Sequence, residues 1–220
     1  MSVAGGTTTA STELNRLTGD GFVAGLTHLT RVDPDLAAIV TRFGPPPLWS
    51  RGPGFATMIR IILEQQVSLA SAGAAYARLA SAVGRVTPNR VLDIDEASLR
   101  GAGLTRQKVR YIRALAESIA RKSFHFGDLA SLDDDAARAA LIRLDGIGRW
   151  SADIYLLMAL LRPDVWPASD LALSGAVQQV KRLRRRPTTQ ELDRISERWR
   201  PWRAVAARLL WHHYLSLRRP

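Results

Sequence analysis

Apolar residues recur at intervals of three and four along almost the whole chain after about Gly21. No stretch alternates apolar with polar residues over a strand's length. Asp33-Pro34 opens a helix that stops before Gly44-Pro45-Pro46-Pro47, a run that no helix crosses. A second helix starts at Pro53 and carries Phe55, Met58, Ile59, Ile62 and Leu63 on one face. The Ala-rich stretch 71–83 ends at Gly84, and Thr87-Pro88 begins a short helix. Thr105 caps a longer one, with Val109, Ile112, Ala116 and Ile119 apolar. Asp133 to Arg143 is amphipathic, with acidic residues in its first turn, where the helix dipole favours them. Trp150 to Leu161 is apolar on every side, which predicts a helix buried at the centre of the molecule. Further helices are expected from about Leu171 to Leu183, from Thr189 to Trp199, and from Pro201 onward.

These elements predict an all-α fold of two helical subdomains facing each other across a cleft. The central one covers about residues 60–165, and the second joins 21–59 to 166–220. The Gly-, Thr- and Ser-rich residues 1–20 read as a flexible leader.

Composition narrows the chemistry. Of 220 residues, 46% are hydrophobic, enough for a real core, and the net charge is +11. A field of that sign favours a polyanion, of which nucleic acid is the commonest; the competing reading is a protein that is merely basic throughout. The chain has no cysteine, which excludes disulfides, thiolate catalysis, Cys-ligated zinc and iron–sulfur clusters. His28, His125, His212 and His213 lack metal-ligand spacing. The longest apolar run, around Ile154 to Leu161, is far short of a membrane span. The N-terminal residues show no secretory pattern. The expected setting is the bacterial cytoplasm, with no membrane partner.

Candidate chemistry centres on Leu144-Asp145-Gly146-Ile147-Gly148. Glycine at both positions flanking Ile147 permits positive φ and lets a foreign backbone approach closely, while Ile147 pins the turn between two helices. The second helix then opens with bare N–H groups, a ready site for an anion such as a DNA phosphate. An ordinary tight turn between helices is the competing reading, and Gly101-Ala102-Gly103 has the same pattern. After the buried helix, the chain turns through Arg162-Pro163-Asp164 and Pro167 to Asp170, which immediately precedes a helix. Aspartate is a preferred N-cap, and a capping carboxylate is also a fixed one, placed where the dipole favours negative charge. On the last helix, Trp202, Ala206, Leu209, Leu210, His213 and Leu217 form the apolar face, and Trp211 points away from it, in need of another surface. Trp199 and Trp202 are assigned to the core. Gln66 projects into the Phe55–Ile59–Ile62 stripe, where a polar side chain needs a partner or an exit.

Leu144 to Ala152, followed by Asp164, Pro167 and Asp170-Leu171, closely resembles the helix–hairpin–helix DNA glycosylase superfamily. Three further segments are similar to its 3-methyladenine DNA glycosylase II branch: Ile61 to Ser68; Gly103-Leu104-Thr105 with Lys108 and Tyr111; and Trp199 to Arg203 with Ala206 and Trp211. The resemblance covers about residues 22 to 217, and the length implies the compact form without an N-terminal β domain.

The resemblance implies a DNA repair enzyme that grips double-stranded DNA in the cleft and flips out an alkylated base. It then hydrolyses the N-glycosidic bond, leaving an abasic site. A base alkylated on a ring nitrogen is a cationic, good leaving group, so one carboxylate that stabilises an oxocarbenium-like sugar suffices. Asp170 matches that carboxylate; Asp164 is the rival, ranked as solvent-facing or capping. Trp150, Trp211 and His212 match the base pocket, whose aromatic faces attract a cation, and Gln66 matches the wedge that enters the duplex. From the residues alone, a glutamine tying down the helix end competes equally with that wedge. Gly146, Gly148 and Arg149 match phosphate-binding positions. The carbonyls of Ile142, Leu144 and Ile147 match a site for structural Na+ or K+. No cofactor is required, and a monomer is implied. In bifunctional relatives a lysine stands two residues after the second hairpin glycine; here that residue is Trp150, which implies hydrolysis without strand cleavage. A bifunctional glycosylase/lyase, a helix–hairpin–helix module that only grips DNA, and an RNA-binding protein are the competing readings.

Overall fold

The computed structural model describes residues 16–218. Most of the expected leader lies outside them, but its end does not behave as a leader. Leu17 is buried and donates its N–H to the Leu161 carbonyl at 2.6 Å, and Thr18 caps a helix that begins at Gly19.

Among the described residues there are twelve α-helices and no strand. In chain order they are α1 (Gly19–Val32), α2 (Pro34–Phe43), α3 (Phe55–Glu64), α4 (Leu69–Val83), α5 (Pro88–Asp93), α6 (Glu96–Gly101), α7 (Arg106–Ala120), α8 (Asp134–Ile142), α9 (Arg149–Met158), α10 (Leu171–Val180), α11 (Thr189–Ser196) and α12 (Arg203–Ser216). Side chains cap most of them: Asp33, Ser68, Thr87, Thr105, Asp133, Asp170 and Thr188 each accept a backbone N–H of the following turn. Helix α6, capped by Asp95, is too short to show periodicity. Helix α9 stops at Met158, short of Leu161, which takes a left-handed φ of 56° where the chain turns.

The chain forms two compact units, Arg51–Tyr155 and Met1–Ser50 with Leu156–Pro220. Both crossings come about ten residues before those expected near 60 and 165. The reason is that α3 packs against α4 and α7, and that Tyr155 accepts the Gly54 N–H at 2.8 Å. Burial pushes the Tyr155 phenol up to about 12, only partly offset by that N–H, and Phe126 stacks on its ring.

In the central unit, Met58, Ile59, Ile61, Ile62 and Leu63 of α3 meet a core that includes Val109, Ile112 and Leu115 of α7. Helix α9 is buried as expected, but it is not apolar on every side. Asp153 is fully buried within it and accepts from Arg138 at 2.6 Å. A lone carboxylate there would be strongly destabilising; the guanidinium from α8 makes it tolerable.

In the discontinuous unit, α12 packs on α10 and α2. The expected one-sided apolar stripe is not what forms, since every residue from Ala204 to Trp211 is buried. Arg208 lies within that span at 0% exposure, and carbonyls satisfy it: those of Leu48, of Ala204 at 2.9 Å and of Leu157 at 2.9 Å. Burial lowers its pKa to about 10. Asp33, which caps α2, also accepts from Lys181 at 2.6 and 2.7 Å and from the Trp199 indole at 2.8 Å. Burial alone would raise the Asp33 carboxyl, but these hydrogen bonds outweigh it and hold it below its ordinary value. Trp199 is fully buried as expected, with Trp166 edge-on to it; Trp202 covers Gly25 of α1.

Candidate active site

Helices α8 and α9 and the turn between them form a helix–hairpin–helix. The two glycines of the turn have different reasons to be glycine. Gly146 takes a left-handed φ of 79°, and a Cβ there would fall inside the Tyr111 ring. Gly148 faces open space, so nothing within the chain demands its missing side chain. Its openness lies at the start of α9, where Arg149 is exposed and the positive end of the helix dipole suits an anion. Ile147 is buried beneath the turn, and Arg149 reaches toward Asp153 at 3.7 Å. Trp150 is half-buried in the first turn of α9.

A shallow depression beside Tyr111 is lined by Ile142, Leu144 and Ile147. Their carbonyls are neutral donors, and Leu144 oxygen spends one lone pair on the Ile147 N–H at 3.1 Å, keeping the other. The one carboxylate of the depression, Asp145, is engaged by Arg110 at 3.2 Å. Such a donor set fits a weakly charged ion. No cluster of three or more His, Cys, Asp or Glu among the described residues could hold a metal ion.

Gln66 is exposed and takes a left-handed φ of 59° just past the end of α3. It is not the buried tie that a continued helix would have made of it. That tie is its neighbour: Gln65 Nε2 donates to the Gly146 carbonyl and to Ser151 Oγ, both at 2.9 Å. Lys108 adds a second brace, its Nζ donating to the carbonyls of Leu63 at 2.7 Å and Gln65 at 3.2 Å, with its pKa lowered by burial. The turn that presents Gln66 is thus fastened to the hairpin. Neither Gln65 nor the bracing role of Lys108 stands out in sequence, where 81 residues separate Gln65 from Gly146.

The other candidates lie in the discontinuous unit. Asp170 caps α10 through the Leu173 N–H at 2.7 Å, and the Trp211 indole Nε1 donates to the same carboxylate oxygen at 3.1 Å. Trp211 is only 8% exposed and needs no foreign surface to cover it. His212, next on α12, has Nε2 at 3.1 Å from the Phe43 carbonyl and lies edge-on to the Phe43 ring. Asp164 is committed elsewhere. Its oxygens accept from Arg200 at 2.5 Å and from Arg203 at 2.9 and 3.0 Å, and it meets the first N–H of α12 at 3.3 Å. It is a partly buried cap and ion-pair partner, not a solvent-facing group.

Comparison with known proteins agrees with this geometry. Residues 59–201 match the family described as HhH-GPD superfamily base excision DNA repair protein. A Mycobacterium tuberculosis protein, named as a probable bifunctional transcriptional activator/DNA repair enzyme AlkA, is 33% identical over 192 residues, 81% of this chain. The chain spans only 37% of that relative's length. DNA-3-methyladenine glycosylase 1 of Schizosaccharomyces pombe is 27% identical over 191 residues, covering 84% of each protein. The solved structure of that yeast's 3-methyladenine DNA glycosylase Mag1 in complex with abasic DNA superposes with a TM-score of 0.78 at 27% identity. The match covers 86% of this chain and 95% of Mag1.

Proposed function

The chain belongs to the HhH-GPD superfamily of base excision DNA repair proteins, and from that premise we propose that it is a monofunctional DNA glycosylase of the 3-methyladenine type. It acts as a monomer on double-stranded DNA carrying alkylated bases, at the chromosome in the cytoplasm. No helix among its described residues is long and apolar enough to cross a membrane. The observation that carries the reading is the pairing of Asp170 with Trp211, a fixed carboxylate hydrogen-bonded to an aromatic side chain. A module that only grips backbone has no use for such a pair.

The hairpin, through the open face of Gly148, the N–H groups of α9 and Arg149, holds a phosphate near the lesion. A monovalent cation on the carbonyls of Ile142, Leu144 and Ile147 would stiffen that loop. Gln66 enters the duplex and fills the space left by the flipped nucleotide. The base, flipped out at a cost of a few kcal/mol, is received against Trp211, with His212 beside it. As the bond between C1′ and the base nitrogen lengthens, its electron pair passes to the cationic base, which leaves neutral. Positive charge then grows on the sugar, and Asp170 stabilises it until water adds at C1′ and a proton is lost to solvent.

Among the described residues, no lysine stands at the position from which bifunctional relatives attack, which supports the monofunctional reading. The position two residues past Gly148 is Trp150, and Lys108 spends its amine on two carbonyls.

The test is release of free bases from methylated genomic DNA, identified by mass. The wild type frees 3-methyladenine and leaves strands that run full-length without alkali. Asp170→Asn keeps the cap but not the charge, and releases none while binding abasic-site DNA within about tenfold of wild type. Release by the variant at the wild-type rate overturns the reading.

A further inference from the structure

The discontinuous unit carries a groove for which base release has no use. Past the C-terminus of α10 the sequence runs Lys-Arg-Leu-Arg-Arg-Arg-Pro from Lys181 to Pro187, and this loop faces α11. Leu183, Pro187 and Ile195 form an apolar floor, and Arg184, Arg194 and Arg198 stand around it, all three exposed. Arg185, also on the rim, is neutralised by a two-pronged bond to Glu191 at 2.7 and 2.9 Å. The other three form no ion pair among the described residues. Like charges gathered in this way repel, and each guanidinium presents a fork suited to a carboxylate.

A phosphate backbone would satisfy the charges and leave the floor bare. An acidic peptide with a bulky apolar side chain satisfies both. Position agrees: the groove lies beyond the C-terminal end of α10, about 15 Å of helix from Asp170 at its N-terminus. We propose that this groove docks a short acidic segment of a partner protein, carboxylates on Arg184, Arg194 and Arg198 and an apolar side chain on the Leu183–Pro187–Ile195 floor. On the glycosylase reading the enzyme hands on a labile abasic product, and a docking groove a helix length from Asp170 would let a partner bind without displacing DNA.

The experiment uses the full chain and a fluorescein-labelled heptapeptide of five aspartates, one leucine and one phenylalanine, followed by anisotropy. Saturable micromolar binding that weakens with salt is expected. It should fall at least tenfold in the Arg194→Glu/Arg198→Glu double variant, and in Arg184→Glu as an independent check. A peptide with glycine in place of leucine and phenylalanine should bind markedly less well. Absence of saturable binding overturns the proposal. So does equal binding of the glycine peptide, which marks a general polyanion site, or a parallel loss of abasic-site DNA affinity in the double variant, which makes the groove part of the DNA surface. Because the peptide is read without DNA, failure of the glycosylase reading leaves this result untouched.

Discussion

Trp211 and Asp170 share one carboxylate oxygen with the backbone of α10: the indole Nε1 and the Leu173 N–H both donate to Oδ1. The aromatic side chain therefore holds the carboxylate, besides any part its ring plays in receiving the base under the proposed function. Trp211→Phe separates the two tasks, keeping a ring face and removing the N–H. A hydrogen bond to a charged group contributes about 1.5–3 kcal/mol. Single-turnover base release should slow by about tenfold or more, with little change in affinity for abasic-site DNA. An unchanged rate would assign Trp211 to stacking alone.

The hairpin glycines should fail in opposite ways. Gly146→Ala forces a side chain onto a left-handed residue and into Tyr111, and should cost about 2 kcal/mol or more, seen as a lowered melting temperature. Gly148→Ala meets open space and should change stability by less than about 0.5 kcal/mol. Gly148→Leu should fold equally well yet weaken binding to every duplex sequence alike, as expected of a contact to phosphate. A Gly148 variant that melts early with normal DNA affinity would contradict this division.

Gln65 and Gln66 are neighbours with separate tasks. Gln66→Ala should slow release of a paired lesion more than of the same lesion in single-stranded DNA, because only the duplex needs a wedge. Gln65→Leu should also lower stability, by about 1–3 kcal/mol, since it strips partners from Gly146 and Ser151. Equal slowing of Gln66→Ala on both substrates would remove Gln66 from the flipping step.

Asp33 makes stability depend on acid. Its folded pKa lies below the ordinary 3.8, so it binds fewer protons folded than unfolded in that range. Its contribution is complete above that value and is lost as pH falls through the lower folded one. Denaturant midpoints measured from neutral pH downward should show this loss, and the loss should be smaller in Asp33→Asn. At neutral pH, Asp33→Ala leaves the half-buried Lys181 with Asp35 alone and strips the buried Trp199 indole of its acceptor, and should cost about 3 kcal/mol. A midpoint that falls equally steeply in Asp33→Asn would place the acid sensitivity elsewhere.

Caps and periodicity made most of this fold readable. Thr105, Asp133 and Asp170 announce their helices because a cap is a local device, written within three residues. The hairpin reads for the same reason. Gln66 is obscure in the sequence because helical periodicity carries it past Glu64, where the helix ends and the periodicity has no meaning. Asp153 hides within an apolar run, since its partner Arg138 sits on another helix. Periodicity places Trp211 on an open face because it reports one apolar side, whereas α12 is enclosed on all sides from Ala204 to Trp211. Contacts between residues distant in sequence leave no periodic mark.

Arg208 bears on the order in which this protein can be completed. Two of its acceptors, Leu48 and Leu157, flank the points at which the chain leaves the discontinuous unit and returns to it. During synthesis the central unit, residues 51–155, is entire before either of those carbonyls can meet its donor. The discontinuous unit stays unlatched until α12 emerges, and a ribosome stalled before residue 208 would leave that unit's two segments unjoined.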